Sequence, residues 1–273
     1  MNKVEKKPDT SKQGASRGKR KNTKKKQQQN LTLSEEKDVF GENLSFAAAE
    51  AYKLLRANIQ FALPDEQKCR IVGITSSRSG EGKSTTALNL AYMLAEAEQR
   101  VLLVESDMRL PTISKRLNIK NEPGLSNLLA GQCSSEEAVQ DSGIQEKLQV
   151  IASGSIPPNP SELLGTEHMH SSIEELSNKF DFIILDLPPV NAVSDALVAS
   201  RLANGMIMVV RRDYASRSAV ADAMRQLQYA DAKVLGFVMT RSDVLSKGGK
   251  YRKYKKYGYG YGEKAEGTRN HDG

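Results

Sequence analysis

The stretch "TSSRSGEGKSTT", Thr75 to Thr86, constrains what this chain can fold into more than any other part of it. It follows a short apolar run, Ile71 to Thr75, and leads into a helical pattern from Ser84 to Glu96. Its core, Gly80-Glu81-Gly82-Lys83-Ser84, is a phosphate-loop motif in the strand, loop and helix order that the motif requires. Glycines in such a loop let backbone N–H groups point inward, and the helix N-terminus adds positive potential. Lys83 can reach the β- and γ-phosphates of a nucleotide, and Ser84 can ligate Mg²⁺. Ser79, Gly80, Glu81, Gly82, Lys83, Ser84 and Thr85 are therefore the expected nucleotide-binding residues, with Ser77 standing where the motif has its first glycine. A glycine-rich turn with a solvated lysine is the plain alternative; strand, motif and helix in sequence weigh against it.

Five further apolar runs follow, at Val101 to Glu105, Leu148 to Ala152, Phe182 to Asp186, Met206 to Val210 and Val234 to Met239. Most are too continuous for strands with one wet face, which predicts burial on both faces. Helical patterns at Ser194 to Leu202 and Ser216 to Tyr229 separate some of them, the alternation of an α/β fold. The expected architecture is a mostly parallel sheet flanked by helices in a single domain. Ahead of it, Leu54, Leu55, Ile59, Phe61 and Ala62 recur near helical spacing between Phe46 and Leu63, and Pro64 closes that segment.

The ends differ from this middle. Met1 to Asn30 holds eleven Lys and Arg against two acids, and Lys247 to Lys256 adds six basic residues and no acid. The net charge of +7 thus belongs to the ends, so it does not mark the folded part as a nucleic-acid binder. The division expected is a basic disordered arm over 1–43, a folded domain over 44–245 and a flexible Tyr/Lys/Gly-rich tail over 246–273. No run approaches the roughly 18 to 20 apolar residues of a membrane span, and the N-terminus lacks the apolar core of a signal peptide. Cys69 and Cys133 fit neither a disulfide framework nor a paired metal motif. A cytoplasmic location is expected.

Acids at the carboxyl ends of buried parallel strands face the ligand crevice. Asp186 ends one such run and fits the Walker B role, holding magnesium through water. Glu105 and Asp107 end another, two residues apart and so on one side of the strand. Ser84, Asp107 and Asp186 are the candidate Mg²⁺ residues. A nucleoside triphosphate there can be hydrolysed or its phosphoryl group passed to a hydroxyl, and either needs a group that orients or deprotonates the nucleophile. Glu105 or Asp107 could serve; Arg109 could offset charge on the transferring group or pair with a neighbouring carboxylate.

Together these residues resemble the bacterial tyrosine kinases (BY-kinases) of capsule and exopolysaccharide systems, a branch of the deviant-Walker P-loop ATPases. The likeness runs from about Leu44 to the C-terminus. Its most specific part is "LLVESDMRLP", similar to the family pattern of two acids one residue apart followed by Arg and Pro. The family usually has Asp where Glu105 stands; the extra methylene moves the carboxylate about 1.5 Å outward, which shifts the expected base to Asp107. "GSIPPNPSELL", Gly154 to Leu164, resembles a second signature, with Asn159, Pro160 and Glu162 suited to N-cap, N1 and N3 of a helix. "EAYKLLR" resembles the E-x-x-R-x-x-R oligomerisation motif, with Glu50, Lys53 and Arg56 at i, i+3 and i+6. Thr240 stands where the family often carries an Asn that helps hold the adenine base.

The resemblance implies an ATP- and Mg²⁺-dependent protein-tyrosine kinase with Lys83, Glu105, Asp107, Arg109 and Asp186 as catalytic residues. It implies a homo-oligomeric ring, a membrane adaptor that recruits and activates the kinase, and protein substrates that include a cognate tyrosine phosphatase. The tail "YRKYKKYGYGYG" supplies the expected phosphoacceptors Tyr251, Tyr254, Tyr257, Tyr259 and Tyr261. Its residues beyond Leu245 could extend roughly 50 Å, enough to reach an adjoining subunit. The competing class is a positioning ATPase that uses hydrolysis as a timer for DNA or membrane binding. Such ATPases typically carry a lysine early in the loop where this chain has Arg78, and they have no use for terminal tyrosines.

Overall fold

The structure, a computed structural model, describes residues 40–63 and 68–241. Residues 1–39 of the basic arm, the Pro64 stop and the five tail tyrosines lie outside the described residues; the arm's last residues are described, and Gly41–Asn43 form a 3-10 turn whose Gly41 N–H donates to Asn89 Oδ1 at 3.1 Å. One seven-stranded sheet organises the rest, from strands β1 (Arg70–Ser76), β2 (Val101–Glu105), β3 (Val139–Asp141), β4 (Leu148–Ile151), β5 (Phe182–Asp186), β6 (Gly205–Arg211) and β7 (Val234–Thr240). Their spatial order is β3-β4-β2-β5-β1-β6-β7, and every pairing is parallel except β3 with β4.

The continuous apolar runs have the cause anticipated from sequence. Side chains alternate across a strand, and here both faces are covered. Val101, Leu103, Phe182, Ile184, Ile207 and Val209 pack toward helices α1 (Phe46–Ala62), α2 (Lys83–Glu96) and α3 (Ile113–Leu117). Leu102, Val104, Ile183, Leu185, Met206 and Met208 face the opposite layer. That layer holds α4 (Leu125–Leu129), α6 (Pro160–Leu164), α7 (Glu167–Ser177), α8 (Asp195–Ala199) and α9 (Arg217–Tyr229), while the single turn α5 (Ser135–Ala138) precedes β3. Removing about ten such side chains from water stabilises the sheet by roughly 1.5–3 kcal/mol each.

Three expectations need correction. β7 is half-exposed rather than buried: it is an edge strand, and Phe237 and Met239 on its outer side are 57% and 58% exposed. In α1, Leu54 and Phe61 point away from the core although they keep helical spacing; Ile59 and the following Leu63 carry the burial. At α6, Pro160 does occupy the first helical position, but Asn159 forms no side-chain cap. Its amide instead donates to the Glu162 carboxylate at 3.1 Å. The expected Ser194–Leu202 helix is α8 continued by a 3-10 turn, Ser200–Leu202.

The topology fixes where chemistry can occur. Ile74 and Glu105 both lie in register with Asp186, so the ends of β1, β5 and β2 reach one level at the carboxyl edge of the sheet. That edge, with α2 starting beside it, is the crevice of an open α/β sheet. No described helix is long and apolar enough to cross a membrane. Both cysteines are free, and burial pushes the Cys69 thiol up to about 12, which leaves it unreactive.

Candidate active site

The loop between β1 and α2 is built from both sides of the backbone. Gly80 and Gly82 take positive φ angles of 82° and 96°, turns that side chains strain to make. Four consecutive loop carbonyls each accept a hydrogen bond from a side chain. Ser76 Oγ donates to the Arg78 carbonyl at 2.7 Å and Tyr214 Oη to that of Ser79 at 3.1 Å. Arg211 Nη1 donates to the Gly80 carbonyl at 3.2 Å and Thr240 Oγ1 to that of Glu81 at 2.7 Å. With carbonyls held outward, the amides of the first helical turn face the crevice; the first to bond back is Thr86 N–H, to the Gly82 carbonyl at 2.9 Å. Ser77, the departure from glycine, has a partner: its hydroxyl donates to both oxygens of buried Glu81 at 3.2 and 3.0 Å, and Arg78 N–H adds 2.9 Å.

Lys83 opens α2 and lies between two acids. Its Nζ is 2.6 Å from Asp107 Oδ2, 3.9 Å from Asp186 Oδ1 and 3.4 Å from Ser84 Oγ. Burial acts to lower the ammonium pKa, yet attraction to Asp186 and Asp107 outweighs it and the pKa rises, so Lys83 stays charged. Asp186 shows the reverse balance. Burial raises its pKa from 3.8 to about 6, against the pull of Lys83 and a hydrogen bond with Ser84. Its Oδ1 is buried without a hydrogen-bond partner. A buried oxygen without a hydrogen-bond donor, together with the Ser84 hydroxyl, fits a hard cation that keeps most of its ligands as water and phosphate, the habit of Mg²⁺. No group of three or more His, Cys, Asp or Glu among the described residues could cage a metal by itself.

The remaining sequence-derived candidates separate. Asp107 converges on the loop: Oδ2 binds Lys83 while Oδ1 accepts Leu110 N–H at 3.1 Å. Glu105 points elsewhere, with Oε1 accepting from Thr112 and Ile113 N–H at 2.5 Å each and Oε2 from Ser114 and Ser153 N–H at 3.5 and 3.2 Å. Both of its oxygens are thus occupied by backbone amides, and the side chain is fully buried. Arg109 makes a bidentate pair with Asp195, Nε at 2.9 Å and Nη2 at 3.0 Å, and Ser161 Oγ donates to the same carboxylate at 2.5 Å. Of the two readings of Arg109, pairing with a carboxylate is the one seen.

Asp195 and Ser161 escaped the sequence, although Ser161 lies inside the "GSIPPNPSELL" signature; their contact joins α6 to α8 across 34 positions. Thr240 holds the loop through Glu81. On α1, Glu50 and Lys53 pair at 3.0 Å on the exposed face, whereas Arg56 turns inward to donate to the Met93 carbonyl at 2.6 Å. Beside residues 77–79 of the loop a cleft of ≈ 690 Å³ opens, walled by Asn191 and by Ser218, Asp222 and Gln226 of α9.

Comparison with known proteins agrees with this geometry. The AAA domain family matches residues 69–234. Tyrosine-protein kinase YwqD of Bacillus subtilis is 39% identical over 216 residues, covering 79% of this chain and 87% of the relative. Tyrosine-protein kinase CpsD of Streptococcus agalactiae is 33% identical over 209 residues, 76% of this chain and 90% of the relative. The solved kinase domain of Escherichia coli tyrosine kinase ETK superposes with a TM-score of 0.68 at 33% identity, covering 71% of this chain and 75% of that one. A nucleotide-binding loop with paired acids, on this sheet order and with relatives of this identity, places the chain in the bacterial tyrosine-protein kinase family, on a P-loop fold.

Proposed function

We propose that this protein is an ATP- and Mg²⁺-dependent tyrosine kinase that phosphorylates its own C-terminal cluster, Tyr251, Tyr254, Tyr257, Tyr259 and Tyr261, between subunits of an oligomer. The observation that carries this reading is Lys83 held between Asp107 and Asp186, whose buried Oδ1 has no hydrogen-bond partner, at the mouth of a phosphate loop. Ser84 and Asp186 would hold the cation, which would neutralise charge on the nucleotide's phosphates. Lys83 leaves the acids for the phosphates once a nucleotide arrives, and that frees Asp107 Oδ2. Asp107 then accepts the phenolic proton as the oxygen bonds to the γ-phosphorus and ADP departs. Glu105 is unsuited to that role because its lone pairs are spent on four amides. Arg109 acts at one remove, fixing α8 and α6 against the site through Asp195. The cleft beside residues 77–79 supplies room for an incoming acceptor ring.

Glu50 and Lys53 form part of the contact between ring subunits, and Arg56, turned inward, braces α1 on α2 behind them. Further partners are a membrane adaptor that recruits and activates the kinase at the inner face of the membrane, and a cognate tyrosine phosphatase among its substrates, in a system that produces capsule or exopolysaccharide. Phosphorylating five tail tyrosines adds roughly −7.5 to −10 of charge and reverses the sign of that segment. A timer ATPase is the alternative. Purified full-length protein with the adaptor's cytoplasmic segment and Mg-ATP is expected to become phosphotyrosine-positive, and Lys83→Met and the tail deletion to stay negative. ATP hydrolysis with no phosphotyrosine would point to the timer.

A further inference from the structure

Glu105 ends β2 as a fully buried carboxylate, and its hydrogen bonds lead away from the acids of the site. Three of its four donors, the amides of Thr112, Ile113 and Ser114, are the cap and first two residues of α3. Thr112 offers that helix no side-chain cap of its own. Glu105 therefore takes the place of a cap, and its charge suits the positive end of the helix. Its fourth donor, Ser153 N–H, ties the same carboxylate to the segment after β4.

One turn into α3 stands Arg116, half-buried, and its Nη1 donates to Thr85 Oγ1 at 2.8 Å. Thr85 is the third residue of α2, within the turn whose amides have no partner before Thr86. Arg116 is also close enough for its charge to act on Tyr52, whose pKa burial raises. A guanidinium hydrogen-bonded into the first turn of a phosphate-loop helix stands where backbone amides cradle the α- and β-phosphates. Lys83, with its two acids, serves the γ-phosphate side.

We propose that Arg116 is a ligand for the α- or β-phosphate of the bound nucleotide, and that Glu105 is the positioning residue that sets it there by anchoring α3. The inference rests on the phosphate loop being the ATP site. It also accounts for glutamate at this place in the acidic motif: the extra methylene adds about 1.5 Å of reach, which lets one carboxylate span the start of α3 and Ser153 together.

Nucleotide affinity of the full chain for ADP and for ATP, with steady-state KM and kcat, tests this. For Arg116→Ala, affinities for ADP and ATP are expected to fall together by about tenfold, the lower end for a charge-assisted hydrogen bond. The loss should appear in KM for ATP more than in kcat, and Arg116→Lys should recover part of it. Glu105→Gln should likewise raise KM and keep the acidic limb of the kcat–pH profile, and adding it to Arg116→Ala should deepen the defect by less than the two single losses combined. Glu105→Asp should lie between wild type and Glu105→Gln. Wild-type protein that binds ATP while Arg116→Ala binds ADP and ATP equally well would overturn this inference alone. Loss of kcat and of the acidic limb in Glu105→Gln, with nucleotide affinity intact, would return Glu105 to the role of base. Wild type with no nucleotide affinity would overturn the functional reading as well.

Discussion

Asp186→Asn separates what the site needs from what the fold needs. Asp186 is fully buried, its Oδ1 has no hydrogen-bond partner, and burial lifts its pKa from 3.8 to about 6. Lys83 and Ser84 oppose that rise, while the charges of Asp107 and Glu105 add to it. A displacement of this size is worth roughly 3 kcal/mol between the neutral and ionised forms. The sign follows from proton binding. A carboxyl whose pKa is higher in the folded than in the unfolded chain holds its proton more tightly when folded. Its contribution to stability is complete below about pH 4 and is lost as pH rises through about 6. Near neutral pH the nucleotide-free protein therefore folds in spite of an ionised Asp186, and a neutral Asn of the same shape relieves it.

Asp186→Asn is thus expected to melt higher than wild type by roughly 6–12 °C at about pH 7.5, from about 2–4 °C per kcal/mol for a chain of this size. The gap should close toward about pH 4.5, where both forms are neutral. Thermal unfolding of the two proteins side by side, free of nucleotide and Mg²⁺, measures it, since titration of carboxylates distant from Asp186 cancels in the difference. On the proposed role of Asp186 in holding the cation, adding Mg-ADP should then raise the melting temperature of wild type and leave the variant nearly unmoved. An Asp186→Asn protein that melts no higher than wild type near neutral pH would refute the reasoning; it would mean that Lys83, 3.9 Å away, already compensates the buried charge in full.

Two further outcomes follow from the same contacts. Arg109→Ala strands the fully buried Asp195 carboxylate with Ser161 as its one remaining named donor, and the expected loss is about 2–3 kcal/mol, below the usual range for a broken buried pair because the Arg109 side chain is 40% exposed. Adding Asp195→Asn should recover more than half of that loss in thermal unfolding; a double variant no more stable than Arg109→Ala would show that the pair does not couple. Gly82→Ala forces a side chain into a left-handed turn and brings its Cβ to 3.2 Å from Thr240 Cγ2, so a loss of about 1–2 kcal/mol with weaker ADP binding is expected. Thr240→Ser should relieve the contact and leave the backbone strain, a partial rescue visible by calorimetry.

Six of the seven strands were legible because a strand buried on both faces leaves an unbroken apolar run. β3 was not, since Val139-Gln140-Asp141 is three residues long and lies at an edge with one polar side. The same logic misjudged β7, where Phe237 and Met239 keep the composition of a buried strand at the opposite edge. In the site, Lys83 and Ser84 were visible because the phosphate loop is local, and Asp186 because it closes a strand. What sequence spacing left ambiguous was direction. Glu105 and Asp107 leave β2 on one side by period, yet the chain turns after Glu105, and Asp107 goes to Lys83 while Glu105 goes to α3. Arg109 with Asp195 is a contact across 86 positions that only the sheet order brings together.

The departures from motif compensate one another through Glu81. Serine in place of the first glycine would be a loss in a loop that used only backbone flexibility. Here its hydroxyl anchors the Glu81 carboxylate, and Arg78 N–H completes the brace. Thr240, in place of an amide side chain, anchors the carbonyl of the same residue and places its methyl against Gly82. Glu81 is therefore held at both ends, by the residues before it and by the last strand of the sheet. A loop fixed in this way has its amides aimed before any nucleotide arrives, so less ordering entropy opposes binding than in a loop that must assemble around its ligand. The glycines give this loop its turn, and Ser77, Glu81 and Thr240 keep it in place.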